Sequence, residues 1–127
     1  MTRKGVAFTP EKNVPELNRA TNKDYQATGY DRGHLRAAEN ATHAITAMKE
    51  TFTLANAIPQ CPNLIRGKWK QLETKVRDLL THCEGIHLFT GDLYLPINCQ
   101  DGKKRVIYEV IGNGVAVPTH CFKVLFI

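Results

Sequence analysis

The sequence predicts an α+β domain in which two helices precede an antiparallel sheet. Two features support this fold class. A central segment carries apolar residues at helical spacing, and the last third consists of short apolar runs separated by Gly-containing turns. The chain has 127 residues, of which 43% are hydrophobic, and this corresponds to one globular domain with its own core.

The first half of the chain is predicted to contain an extended arm, a helix and a short strand. Residues 1–28 hold two Pro and several Asn without an apolar period, which is typical of an extended segment on the surface. Residues 36–50 are rich in Ala and favour a helix with Ile45 and Met48 facing inward. Residues 52–55 predict a short strand that leads into a Pro turn.

The second half is predicted to contain one long helix and three strands. The helix covers residues 62–82 and stops before Gly85. Its apolar stripe consists of Trp69, Leu72, Val76, Leu79 and Leu80. Strands at 86–95, 105–111 and 115–127 follow and are expected to pair as an antiparallel meander. Because the last strand stops within an apolar run, we expect the chain to be cut short relative to its fold.

Composition restricts the class of protein. The net charge of +5 favours polyanionic partners, nucleic acid before an anionic membrane surface. No apolar run approaches the roughly 20 residues that span a bilayer, and no secretory signal begins the chain. The dispersed Cys residues indicate reduced thiols in an intracellular protein. The pairs His82-Cys83 and His120-Cys121 could offer zinc ligands, but neighbours on a strand point to opposite faces, so ordinary packing is favoured.

The segment Asp31-Arg32-Gly33-His34 contains the residue types that phosphodiester hydrolysis requires. Such hydrolysis needs a base that deprotonates water and positive charge that neutralises the phosphate. The ordinary pKa of histidine, near 6.5, suits His34 as the base, while Arg32 and Arg36 can contact phosphate oxygens. A divalent cation held by Asn, Asp or Glu oxygens usually supplies the remaining positive charge.

A second group of polar residues, Asn56, Trp69 and Glu73, follows on the chain. Each has a structural alternative. Asn56 could simply end a strand, and Trp69 leads the apolar stripe, so the core is favoured over a platform for bases. Glu73 could pair with Arg77 one helical turn later, and Asp31 could cap a turn. The joint order and spacing of the two groups, rather than any single residue, indicates a site.

The chain resembles the DNA/RNA non-specific endonucleases of the ββα-metal (His-Me finger) class, and within them the mitochondrial endonuclease G group. The segments that carry the resemblance are 19–25, 30–35, 51–56, 59–60, Trp69 with 72–73, 90–91, 93–96, 101–103, 110–112, 115–120 and 122–125. The resemblance implies a ββα-metal nuclease core with an antiparallel sheet and two main helices. The expected organisation is an extended N-terminal arm at 1–17 and a partial nuclease domain at 18–127.

The resemblance also implies a role for each site residue. His34 matches the general base of the family, and Arg32 belongs to the same catalytic signature. Asn56 matches the asparagine that orders the site, and Glu73 matches the helix glutamate that reaches a metal ion through water. The predicted substrate-binding residues are Asp31, Arg36 and Lys68.

The implied function is metal-dependent cleavage of DNA and RNA with little sequence preference, with Mg²⁺ or Mn²⁺ as cofactor. Nucleic acids are the implied partners, and a homodimer is the implied assembly. The implied location is the mitochondrion or the nucleus, although the chain carries no clear targeting sequence.

Three departures from the family pattern favour an alternative function. Ile65 stands four residues before Trp69, where the family places its metal-binding asparagine, and an isoleucine offers no lone pair. Asn63 is close in sequence, but on a helix it faces about 160° away from that position. Residues 1–17 do not resemble the upstream strands of the family, and the family fold continues past residue 127. The alternative is therefore a degenerate or truncated nuclease-fold protein that binds nucleic acid with little or no cleavage.

Overall fold

The structure, a computed structural model, describes residues 6–127; the first five residues of the predicted arm lie outside it. The helices are α1 (Ile45–Glu50), α2 (Pro62–Arg66) and α3 (Lys68–Leu80). The strands are β1 (Asp31–His34), β2 (Ala57–Gln60), β3 (His87–Leu93), β4 (Ile97–Asn98), β5 (Lys104–Arg105), β6 (Val110–Ile111), β7 (Val115–Ala116) and β8 (His120–Phe126). Single 3₁₀ turns occupy Glu16–Asn18, Asn22–Tyr25, Ala38–Ala41 and Leu54–Asn56. Helices and strands are thus both present, as the α+β prediction requires.

The strands pair two by two, so the predicted meander is wrong. β1 pairs with β2 and β3 with β8, both antiparallel, and the hairpins β4–β5 and β6–β7 lie between β3 and β8 in the chain. The predicted strand at 105–111 is interrupted, since only Lys104–Arg105 and Val110–Ile111 are paired; between them Val106, Ile107 and Tyr108 are 46%, 60% and 48% exposed. The longest pairing, that of β3 with β8, joins residues far apart in sequence.

The predicted helix at 62–82 consists of two helices. Gly67 adopts φ −111° and ψ −106°, which ends α2 and begins α3, and a Cβ there would lie 2.8 Å from the carbonyl oxygen of Asn63. Trp69 and Val76 are buried as the stripe predicts, but Leu79 and Leu80 are 43% and 44% exposed. The C-terminal end of the stripe, Leu79 and Leu80, therefore faces solvent.

The first helix and the first strand are also shifted from their predicted positions. Only residues 45–50 of the expected helix are α-helical; Met48 is fully buried, whereas Ile45 is 45% exposed, so half of the predicted inward face is wrong. The predicted strand at 52–55 lies instead at Ala57–Gln60, because a 3₁₀ turn at Leu54–Asn56 satisfies its own backbone.

The core consists of two buried clusters joined by the N-terminal segment. One cluster contains Tyr25, Leu54, Ile111 and Val117, and the other contains Ala38, Met48 and Phe52. Phe8 packs against both. The backbone of Thr9 donates to Phe52 O (2.9 Å) and accepts from Leu54 N (2.8 Å). The described start of the arm thus lies on the surface and packs against the core through Phe8, which is partly buried, whereas Ala7 and Thr9 are exposed.

No helix among residues 6–127 is long and apolar enough to cross a bilayer.

Candidate active site

The strand β1 brings the Asp31–His34 segment to the wall of a cleft by pairing with β2. Gly33 faces the side chain of Gln60, which is 2% exposed, and a Cβ on residue 33 would overlap the Gln60 carboxamide. Gln60 Nε2 in turn donates to Cys121 Sγ over 3.5 Å, which links β2 to β8. Packing beneath β1 thus requires a glycine at position 33, within the tetrad Asp31-Arg32-Gly33-His34.

Two aromatic rings fix the imidazole of His34. The centroid of its ring lies 4.8 Å from that of Phe8 and 4.6 Å from that of Phe52, which meets it edge to face. Such contacts restrict the rotamer of the histidine and place the ring at the edge of the cleft. One of the two rings comes from the N-terminal segment, which the sequence assigned no role.

Asn56 forms hydrogen bonds with the backbone of the two residues that follow His34. Its Oδ1 accepts from Arg36 N (3.0 Å), and its Nδ2 donates to Arg36 O (3.0 Å) and Thr51 O (2.9 Å). Its backbone carbonyl accepts from Leu35 N at 2.9 Å. These bonds hold the two residues after His34 in one conformation, so Asn56 stabilises the position of the histidine through the backbone.

A cleft of about 680 Å³ collects most of the predicted site residues. His34, Arg32, Asp31, Glu73 and Ile65 all line it. Its wall is completed by Phe8, Asn22, Tyr25, Gln26, Tyr30, Glu39, Phe52, Arg66 and Lys70. Asn56, Arg36 and Lys68 do not belong to the lining. The side chains of Arg36 and Lys68 are both exposed.

The charged residues of the tetrad are held by partners. Arg32 Nη1 donates to Asn22 Oδ1 (2.6 Å), and its guanidinium lies 4.9 Å from the centroid of the Phe8 ring. Asp31 forms an ion pair with Arg66 at 3.1 Å. Asp31 therefore lies beside a cation of the cleft, and its part in substrate binding stays a prediction. Arg66 and Lys70 are cleft cations that the sequence analysis did not single out, although their spacing of four residues was a signal.

Glu73 approaches a buried lysine that the sequence analysis also left without a role. Lys123 Nζ lies 3.9 Å from Glu73 Oε1, and the two side chains are 1% and 15% exposed. The ammonium group donates to Thr90 Oγ1 (3.0 Å) and Leu35 O (3.3 Å) and lies 4.6 Å from the Trp69 ring centroid. Burial lowers the pKa of Lys123, and the Glu73 carboxylate partly offsets this effect. Lys123 therefore connects α3 and β3 to the backbone next to His34.

The carboxylates that line the cleft are not gathered around one point in the described part of the chain. Ile65 lines the wall with an aliphatic side chain, while Asn63 is exposed and lies outside the lining. Between residues 6 and 127, no group of three or more His, Cys, Asp or Glu side chains is placed to hold a cation.

Comparison with known proteins identifies the family. The sequence profile described as "DNA/RNA non-specific endonuclease" matches residues 1–127, so it includes the first 17 residues, where we had found no counterpart. Endonuclease G, mitochondrial, of Homo sapiens is 45% identical over 126 residues, which cover 98% of this chain and 42% of that protein. Nuclease C1 of Cunninghamella echinulata var. echinulata is 40% identical over 94% of this chain and 48% of its own length.

A solved structure agrees with the sequence relatives. The crystal structure titled "Crystal structure of the EndoG/EndoGI complex: Mechanism of EndoG inhibition" superposes with a TM-score of 0.95 at 42% identity, covering 98% of this chain and 51% of that one. The chain thus spans about half the length of the proteins it matches. Its fold is that of a ββα-metal nuclease, as the resemblance implied. The chain belongs to the DNA/RNA non-specific endonuclease family.

Proposed function

We propose that the chain is a nuclease that binds DNA and RNA and hydrolyses their phosphodiester bonds, with His34 as the general base. The observation that carries the proposal is that His34, Arg32 and Glu73 line the same cleft. The cations Arg66 and Lys70 also line it. The relatives are named nucleases, which supports the same reaction class.

In this proposal each described residue has a distinct task. His34, fixed between two aromatic rings, accepts a proton from the attacking water. Arg32 stabilises the charge that develops on the phosphate oxygens, and Asn22 orients its guanidinium. Asn56 is a positioning residue that holds the backbone after His34.

The metal requirement of the family meets a poor donor set here. The family uses a divalent metal cofactor. In this chain the resemblance puts Ile65 at the position of the direct ligand. Asp31 is paired with Arg66, and Glu73 lies beside the Lys123 ammonium. These residues do not fit a cation bound directly by protein side chains. We therefore derive no catalytic step through Mg²⁺ or Mn²⁺.

The poor fit of the cleft residues to a directly bound cation favours a second candidate function, binding of nucleic acid with little or no cleavage. Loss of a direct ligand severely weakens cation binding, because Mg²⁺ demands oxygen ligands in near-octahedral geometry. The two candidates share the fold and the cleft and differ only in turnover.

Plasmid nicking with Mg²⁺, with Mn²⁺ and with chelator separates the two functions. We expect His34→Ala to abolish any nicking; cleavage that persists in this variant would exclude His34 as the base. We expect Ile65→Asn to raise metal-dependent nicking at least tenfold, a change of about 1.4 kcal/mol in transition-state free energy. A folded Ile65→Asn variant without any gain would contradict the ligand argument.

Several finer properties are part of the proposal. Endonuclease G of Homo sapiens is named a mitochondrial protein, which supports a mitochondrial location, with the nucleus as the alternative. Homodimer formation and the division into an arm at 1–17 and a domain at 18–127 are likewise proposed from the resemblance alone. Size-exclusion chromatography with light scattering tests the dimer.

A further inference from the structure

A second concave surface lies next to the cleft, along α2 and α3. This groove has a volume of about 380 Å³ and is lined by Arg66, Lys70 and Lys75, with Gly67, Gln71 and Thr74 between them. Arg66 and Lys70 also line the cleft. The two concavities therefore share a border formed by two cations, and a linear ligand can pass from one to the other.

The charge of the groove differs from that of the cleft. The cleft is lined by three cationic side chains (Arg32, Arg66 and Lys70) and three carboxylates (Asp31, Glu39 and Glu73). The groove is lined by three cationic side chains, and no carboxylate lines it within the described part of the chain. Local positive charge is therefore concentrated in the groove, where it attracts a polyanion more strongly than the cleft does.

The spacing and freedom of the groove cations suit a phosphate backbone. Lys70 and Lys75 lie five residues apart on α3, about 7.5 Å along the axis and about 140° around it, and both line the groove. A nucleic acid strand carries a phosphate about every 3.4 Å of helix axis, so two cations in one groove can contact different phosphates of the same strand. The Arg66 side chain is 73% exposed and its pair with Asp31 uses Nη2. Exposed ion pairs are weak, so a phosphate can take the place of Asp31 at this guanidinium.

We propose that the groove of Arg66, Lys70 and Lys75 binds the phosphodiester backbone of a nucleic acid strand whose neighbouring segment enters the cleft, and that it does so without a divalent cation. The proposal rests on the proposed function for the identity of the ligand. It goes further in giving the strand a path and in assigning its affinity to protein cations instead of a metal ion.

Fluorescence anisotropy with a labelled 16-nucleotide single-stranded DNA tests this proposal. The measurement uses the whole chain carrying His34→Ala, so that cleavage cannot interfere, in chelator and at several salt concentrations. Lys70→Gln and Lys75→Gln are compared with Lys49→Gln, which removes the same charge from an exposed position on α1 outside both concavities. Circular dichroism confirms that each variant is folded.

We expect binding in chelator, and we expect each groove variant to weaken it about fivefold near 0.1 M salt and to reduce the salt slope by about 0.7. Lys49→Gln should change neither quantity. Equal effects of all three variants, or binding that requires Mg²⁺, would overturn the proposal. Binding to phosphatidylserine vesicles but not to the oligonucleotide would also overturn it. Because no turnover is measured, a failure of catalysis leaves this result intact.

Discussion

Replacing Lys123 by Met should lower the free energy of unfolding by about 3–5 kcal/mol, the usual cost of breaking a buried ion pair on one side. At 3.9 Å, the attraction to Glu73 is about 4 kcal/mol for an effective dielectric constant of about 20. The bonds to Thr90 Oγ1 and Leu35 O contribute about 1.5–3 kcal/mol each as charged hydrogen bonds. The Met variant no longer buries a charged ammonium, whose side chain is 1% exposed in the parent protein. The desolvation cost that it avoids partly offsets the lost ion pair and hydrogen bonds.

A double-mutant cycle with Glu73→Gln isolates the pair. The substitution Lys123→Met removes the ammonium that lies 4.6 Å from the Trp69 ring centroid but keeps an unbranched apolar side chain, so most of the packing is retained. The double variant also removes the carboxylate charge that faced Lys123, and we expect it to be more stable than Lys123→Met alone, with a coupling energy of about 1.5–3 kcal/mol. Urea unfolding at pH 7 measures all four proteins.

Additive effects of the two substitutions would refute this reasoning, because they would show that the carboxylate and the ammonium do not stabilise each other. If Lys123→Met is unfolded, a folded double variant still demonstrates the coupling and gives its lower limit. A double variant less stable than both single variants would assign the effect to lost packing.

Two further predictions concern the residues that support β1 and the core. Gly33→Ala should lower the free energy of unfolding by about 1–3 kcal/mol, because its Cβ overlaps the buried Gln60 amide, whereas Gly85→Ala, which meets no atom within 4 Å, should be neutral; urea unfolding measures both. Burial alone would raise the pKa of Asp24, but the N–H groups of Thr21 and Asn113, at 2.7 and 2.8 Å, outweigh it and hold the pKa below its ordinary 3.8. A lowered folded-state pKa stabilises the fold above about pH 4, and this is lost as the pH falls through that pKa. Asp24→Asn should therefore cost about 1–3 kcal/mol at pH 7 and less at pH 3; an equal cost at both would contradict the linkage.

The sequence predicted those parts of the site that depend on neighbouring residues. The tetrad Asp31–His34, the helix that carries Trp69 and Glu73, and the burial of Met48 and Val76 follow from motif and period. Local spacing determines these features, since a helix of 3.6 residues per turn places its own side chains without reference to the rest of the chain. Ile65, which the resemblance puts where the family has its metal-binding asparagine, lines the cleft, and its role stays a prediction.

The tertiary structure alone decided which distant residues meet at the site. Phe8 packs on His34, Asn22 orients Arg32, and Lys123 reaches Glu73 and Leu35 O across 50 and 88 residues of sequence. The pairing of β3 with β8 has the same long-range character. Periodicity shows which face of a strand or helix is apolar, but it does not show which other face will cover it. That choice depends on the free energy of the whole packed core, so the contacts that orient the predicted site residues are decided only in the folded chain.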